Sequence, residues 1–364
     1  MDTMMAQNTP ESTVSPGNAR VPNASPGRVR RLGAIGLIAL LVVAAGAVVM
    51  TIRAVGGGGV GGTAAPAQAE AGAVPLAATG ETIDAILNAA GAAQQRGELA
   101  KAETILRSAS RSHADEQRLY LQLAELLAGQ RRFDEAYEQY TRALAAGPRD
   151  AASEFAAGTV ASAAGRPERA VEHYAAAQAA EPSDWKAPLF LGQVQLKLGR
   201  AEEAKKSLLM ASRLKPDAAI AWGTLAEIAL RENKPSIALV HVAKARELEP
   251  DVTVWRVLAG RALKREGRPE EALELFVGLS PAARAEPGVM TLMAECYGLL
   301  ERPRDAAAMY VAAADSDPSR GEWAMEAALW SERAGDLAAA RTYAARAAGL
   351  GTAGAADMVA RLGS

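Results

Sequence analysis

The segment Gly165-Arg166-Pro167-Glu168-Arg169-Ala170-Val171-Glu172-His173-Tyr174 returns in near-identical form as Gly267-Arg268-Pro269-Glu270-Glu271-Ala272-Leu273-Glu274-Leu275-Phe276. The two copies lie 267 − 165 = 102 residues apart, which is three times 34. The smaller interval governs most of the chain. Ala102, Ala136, Ala170, Ala204, Ala238, Ala272, Ala306 and Ala340 mark one fixed point eight times, with no insertion or deletion between them. A period of that length is the signature of stacked helix pairs, each of which needs its neighbours to bury an apolar face.

With residue 83 as position 1, repeats begin at 83, 117, 151, 185, 219, 253, 287 and 321, and the marker alanine is position 20. Position 8 is always Ala or Gly (Ala90, Ala124, Gly158, Gly192, Ala226, Gly260, Ala294, Ala328), and position 27 is Ala except at Leu279. Position 24 supplies bulk: Leu106, Tyr140, Tyr174, Leu208, Val242, Phe276 and Tyr310, falling to Ala344. Small residues let helix backbones approach, and the bulky ones fill what remains. Gly97, Gly165, Gly199, Gly267 and Gly335 punctuate the middle of a repeat, where a helix end calls for positive φ. Pro167, Pro235, Pro269 and Pro303 follow two residues later, suited to a first helical turn. Pro148, Pro182, Pro216, Pro250 and Pro318 at position 32 close the second helix.

Small at 8, 20 and 27, bulky at 24 and Pro at 32, the pattern resembles the tetratricopeptide repeat over residues 83–354. The resemblance implies an all-α, right-handed superhelical solenoid of about eight helix pairs. Residues 355–364 are expected to add a capping helix with Met358, Val359 and Leu362 on one face. Departures are local. The family's Trp at position 4 occurs only as Trp222, while Trp255 and Trp323 sit one place earlier. Leu279 and Pro281 predict a short second helix in repeat 6, and Ala114 and Thr352 replace the closing Pro in repeats 1 and 8.

Ahead of the repeats, residues 1–31 are rich in Pro, Ser, Asn and Thr and are expected to be disordered. Leu32–Ile52 carries no charge; as a helix it would run about 31 Å, the depth of a bilayer core, so a single transmembrane helix is expected. Arg20, Arg28, Arg30 and Arg31 precede it and only Arg53 follows closely, which places the N-terminus in the cytoplasm and the repeats beyond an inner membrane. A cleaved export signal is the alternative, but the nearest Ala-x-Ala, at Ala67–Ala69, lies far past the apolar core. Residues 53–82 read as a flexible Gly/Ala/Pro linker, with a root-mean-square span of roughly 30 Å.

The charge balance, 42 acidic against 40 basic residues, exerts no global pull on nucleic acid. One cysteine excludes an intrachain disulfide framework and a cysteine-clustered zinc site, and mid-helix Cys296 reads as a buried structural thiol. The run Gly56–Gly59 lacks the Lys-Ser/Thr of a phosphate loop. His173 and His241 share position 23 and lack neighbours at metal-ligand spacing, so both are expected to be solvated. No catalytic site, cofactor, metal or small-molecule substrate is expected.

The resemblance implies that positions 2, 5, 9, 12 and 13 of each first helix line a concave groove. The candidate peptide-binding residues are Lys186, Leu189, Gln193, Lys197, Glu227, Leu230, Arg231, Arg261, Lys264 and Arg265. The family's Lys/Asn/Arg carboxylate clamp is absent. Apolar residues at position 5, with Leu196 and Leu230 at position 12, suggest an apolar floor under a basic rim. Such a cradle would take an acidic segment; the plainer alternative is that long basic side chains keep a helix face soluble. The expected function is a non-catalytic, membrane-tethered scaffold or adaptor for protein or peptide partners in an envelope assembly or secretion process. The alternatives are an accessory subunit of a membrane enzyme complex and a cytoplasm-facing scaffold.

Overall fold

The computed structural model describes residues 82–363, and the regular structure among them is entirely helical. Helices follow in pairs: α1 (Ile83–Gln95) and α2 (Leu99–Ser112), α3 (Gln117–Gly129) and α4 (Phe133–Ala146), α5 (Ala151–Ala163) and α6 (Pro167–Ala180), α7 (Lys186–Lys197) and α8 (Ala201–Leu214). The second half continues with α9 (Ala219–Arg231) and α10 (Pro235–Leu248), then α11 (Thr253–Arg265) and α12 (Pro269–Val277), followed by the one-turn α13 (Pro281–Arg284). It closes with α14 (Pro287–Leu299) and α15 (Pro303–Ser316), α16 (Gly321–Arg333) and α17 (Leu337–Gly349), and a final α18 (Ala355–Gly363). The tail, membrane helix and linker expected from residues 1–81 lie outside the described residues; Thr82 accepts a hydrogen bond from the Ala85 N–H and caps α1. Among the described residues no helix is long and apolar enough to cross a membrane.

Every pair is joined by the same tight turn. Position 15 is left-handed in all eight, as Gly97, Gly165, Gly199, Gly267 and Gly335 and as the non-glycines Arg131, Asn233 and Glu301 at φ 62°, 57° and 55°. The next N–H reaches back to close the first helix, from Glu98 to Ala93 O, Arg166 to Ala161 O, Lys234 to Ala229 O and so on through Asp336 to Ser331 O. These bonds satisfy carbonyls that the helix end leaves free.

The marker alanines are the tightest points of the packing: all eight at position 20 are 0 % exposed. Position 8 lies against the bulky position 24 of its own repeat. A Cβ on Gly158 would sit 2.9 Å from Tyr174 Cδ1, and one on Gly260 would sit 2.4 Å from Phe276 Cε1. Two tryptophans obey the same logic between repeats. The Trp255 ring fills the space over Gly223, and Trp330 that over Gly298, where a Cβ would come within 2.1 and 2.6 Å of them. Each large buried side chain of this kind contributes about 1.5–3 kcal/mol by leaving water.

Repeat 6 departs as its sequence predicts. α12 has nine residues where most second helices have fourteen. Pro281 has no N–H to donate and its ring would collide with the carbonyl four residues back, so the helix stops. Ser280 caps α13 through the Ala283 N–H, while Arg284 and Arg256 donate to the freed Val277 and Gly278 carbonyls, each at 3.3 Å. Leu279 stays buried in the place of the usual alanine. At the other end, α18 covers Ala328, Ala340 and Ala344 with Met358 and Leu362. Val359, expected on that face, is 36 % exposed, and Ala355 is the third residue turned inward.

Candidate binding surface on the first helices

First helices pack directly on one another at α1 and α3 and in an unbroken run from α7 through α9 and α11 to α14; successive second helices do not approach to that extent. From α7 to α14 one face of the array is therefore a closely spaced row of first helices. Side chains at position 9 meet across this row. Glu227 on α9 is buried, and its carboxylate accepts from Arg231 Nε at 3.3 Å on its own helix and from Arg261 Nη1 at 2.8 Å on α11. Arg265 donates to the Leu230 carbonyl in the last turn of α9, which also accepts the Asn233 N–H. Lys264 is bound to Glu295 of α14. Burial pulls the Lys264 ammonium down to about 8; the nearby Cys296 sulfur acts against it, and the neighbouring Arg265 and Arg261 act with it.

The expected basic rim is thus an ion ladder. Arg231, Arg261 and Lys264 are spent on carboxylates of the same face, and Arg265 on a backbone carbonyl. The expected apolar floor is corrected too: Leu189 is 2 %, Leu196 8 % and Leu230 1 % exposed. The reason is position in the stack. α9 is enclosed by α7, α8, α10 and α11, and Gly223 through Leu230 are buried without a break, so no side of that stretch is left to form a floor.

α7 is different. Lys186 and Lys197 are exposed and no carboxylate reaches either of them, while Gln193 Nε2 between them is buried without an acceptor in the protein. Desolvation by the surrounding helices lowers the pKa of Lys197 below the ordinary lysine value. Of the candidate residues, these three are the ones with a polar group left without a partner among the described residues. Glu295, which sequence reasoning missed, could have been found at position 9, where Glu227, Arg261 and Glu295 alternate in sign at intervals of 34.

The histidines also call for correction. His173 is buried: Nδ1 lies 2.8 Å from Glu154 Oε2 and Nε2 lies 3.2 Å from Tyr137 Oη. His241 is half-buried, stacked on Trp222 at 5.8 Å, with Nδ1 enclosed and unpartnered. Position 23 therefore faces position 4 of its own repeat. The missed signal was Glu154, an acid where the repeat pattern calls for Trp. Cys296 is buried as expected, and desolvation pushes its thiol up to about 11.

The tetratricopeptide-repeat family model matches residues 87–151 and again residues 161–228. This is a tetratricopeptide-repeat protein. Its helical array is similar to the C-terminal part of a tetratricopeptide-repeat protein from Cytophaga hutchinsonii (TM-score 0.52, 14 % identity, covering 66 % of this chain and 98 % of the other). It is similar also to a tetratricopeptide-repeat protein from Parabacteroides merdae (TM-score 0.51, 14 % identity, 68 % and 98 % covered). A third likeness is to a crystal structure of the APC/C hetero-tetramer Cut9–Hcn1 (TM-score 0.50, 12 % identity, 77 % and 56 % covered). At these identities the likeness is one of fold. A comparison with curated proteins finds no match. Tetratricopeptide-repeat proteins are typically non-catalytic scaffolds for protein or peptide binding, and the first-helix face of this tetratricopeptide-repeat protein is its candidate surface.

Proposed function

We propose that the protein is a membrane-tethered scaffold that holds an acidic protein or peptide segment on its first-helix face, taken as the inner face of a right-handed superhelix. The observation that carries this reading is on α7, where two unpaired lysines flank an unsatisfied buried amide. A partner carboxylate would give Lys197 the charge-assisted bond it lacks. Over positions 2, 5, 9, 12 and 13 of repeats 4–7 the basic residues are Lys186, Lys197, Arg231, Arg261, Lys264 and Arg265. The acidic ones are Glu227 and Glu295, so 6 − 2 leaves a local charge of +4. The ladder between them costs the surface some free cations and gives it a fixed geometry.

The tether is Leu32–Ile52. Its uncharged length and the arginines ahead of it support a cytoplasmic N-terminus with the repeats on the far side of an inner membrane, in an envelope assembly or secretion process. A reporter fused after Ser364 and assayed for export tests that orientation. For the surface, the full chain in detergent is titrated with a labelled decapeptide of alternating Glu and Leu. Reversing both free lysines (K186E with K197E) is expected to weaken binding about tenfold or more and to flatten its salt dependence. Unchanged affinity at every salt concentration would refute the surface. A photo-crosslinker in place of Gln193 in intact membranes then identifies the native partner.

A further inference from the structure

Positions 19 and 22 lie one turn apart on the solvent side of each second helix. Six of the eight repeats place a charge at one or both, as Glu203 and Lys206 do on α8 and Glu271 and Glu274 on α12. On α10 the same positions are Ile237 and Val240, 46 % and 70 % exposed, and Ala243 continues the stripe toward the helix end. A single exposed aliphatic needs no explanation, but two in line where neighbouring helices carry charges make a patch.

The stripe runs into a cleft of about 420 Å³ that the short α12 leaves open. α10 continues to Leu248 whereas α12 stops at Val277, so the last turns of α10 have no equivalent turns of α12 beside them. Ala243, Pro250 and Leu275 line the cleft with apolar surface, and Val277, next to the lining Gly278, is 51 % exposed. The backbone at the break is held in place, because Arg284 and Arg256 donate to the Val277 and Gly278 carbonyls.

Two arginines and two glutamates surround this apolar lining and leave it without net charge. Glu247 is paired with Lys244 at 2.9 Å, and Arg256 is bound to the Gly278 carbonyl. Arg246 on α10 and Glu274 on α12 have no hydrogen-bond or ion-pair partner among the described residues, and they do not meet each other across the cleft. A purely acidic or purely basic partner would satisfy one of these groups and be repelled by the other. A second copy of the chain satisfies both. In a two-fold interface the same patch meets itself, so every contact is made twice, once in each direction.

We infer that the α10–α12 face is a self-association surface, joining two copies of this chain through the Ile237–Val240 stripe and two reciprocal Arg246–Glu274 pairs. It uses none of the residues proposed to hold a peptide. α10 is about 21 Å long and two helices abreast span about 20 Å, so the face offers roughly 400 Å² per copy. Standard complexes bury about 800 Å² per partner, so the dimer is expected to be transient, with a Kd on the order of 10 μM or weaker.

The test is sedimentation of the full chain in detergent at concentrations up to about 100 μM, with the mass corrected for bound detergent. The parent is expected to pass from monomer to dimer over that range. V240E changes a side chain that makes little contact with the fold, and should weaken dimerisation about tenfold or more. R246E and E274R should each weaken it comparably, and the double variant R246E–E274R should regain the parental behaviour. The deciding sample is an equimolar mixture of the R246E and E274R chains. Each alone sets like charges against one another across the axis, whereas the mixed dimer restores both opposite-charge pairs. A parent that stays monomeric throughout would overturn the inference and leave the patch to a different protein. Dimerisation that V240E leaves unchanged would overturn it by locating the contact elsewhere on the chain. Recovery in the double variant but not in the mixture would also overturn it, because Arg246 and Glu274 would then pair within one chain.

Discussion

His173 and His241 stand at the same position of repeats two apart, each turned to position 4 of its own repeat. In repeat 3 that position is Glu154, and a polar chain runs from Arg149 through the carboxylate and imidazole to Tyr137. In repeat 5 it is Trp222, whose ring stacks on the imidazole while its Nε1–H donates to the Pro216 carbonyl at 2.9 Å. One histidine has both nitrogens satisfied; the other keeps Nδ1 buried and unpaired. The same backbone slot thus accepts an electrostatic or an aromatic filling, and the choice at position 4 decides which.

The largest effect should come from breaking the polar filling. Glu154→Ala removes the acceptor of a buried imidazole N–H and of Arg149, and is expected to cost about 2–3 kcal/mol, the upper end being softened because Arg149 is largely exposed. Glu154→Trp converts repeat 3 to the arrangement of repeat 5 and should lose clearly less. Urea denaturation, with hydrogen exchange of α5 and α6 as the local readout, checks both. Equal losses would mean that the two fillings are not interchangeable.

How much of this was legible in the sequence depends on the residue type. Ala170, Gly158 and Tyr174 announced the fold because close packing admits only small residues at some positions and rewards bulk at others. The short α12 followed from Pro281 by elementary backbone chemistry. The surface was less legible because charge says that a side chain is polar and not whom it meets. Arg261 and Lys264 looked free until α9 and α14 brought Glu227 and Glu295 beside them. Leu230 looked available for a groove because the sequence does not show that α9 is enclosed on every side. His173 was misplaced because its helix was read alone, although Glu154 already disturbed the pattern at the position it faces.

A smaller effect separates the same two repeats at position 8, which is Gly158 in one and Ala226 in the other. A methyl on Gly158 would meet the Tyr174 ring at 2.9–3.2 Å, and that ring is wedged by Phe155 and Phe190 at 5.3 and 5.7 Å. Gly158→Ala should therefore lose about 1 kcal/mol net, overpacking outweighing the gain in helix propensity. Ala226→Gly should lose a similar amount for the opposite reason, through backbone entropy and a small void. A stabilised Gly158→Ala protein in thermal denaturation would show that the aromatic cluster yields more readily than its geometry suggests.

The smallest effect is a pH dependence confined to repeat 5. Desolvation, and then the charge of Lys205, hold the pKa of His241 below that of an unfolded histidine. The unfolded chain therefore binds the proton first as pH falls. Stability is full above the unfolded value near 6.5, and is lost as pH drops from there toward the folded value. His241→Phe keeps an aromatic ring against Trp222, removes the unpaired nitrogen and cannot titrate. Its melting temperature should match the parent's or exceed it at pH 7.5, and the gap should widen in its favour between pH 6.5 and 5. His173, bridged by a carboxylate, shares no such desolvated and unpaired nitrogen, so the same substitution there should cost stability at both pH values. If His241→Phe instead tracked the parent in parallel through the acid range, the aromatic filling would carry no proton-linked penalty, and the contrast between the two histidines would reduce to hydrogen bonding alone.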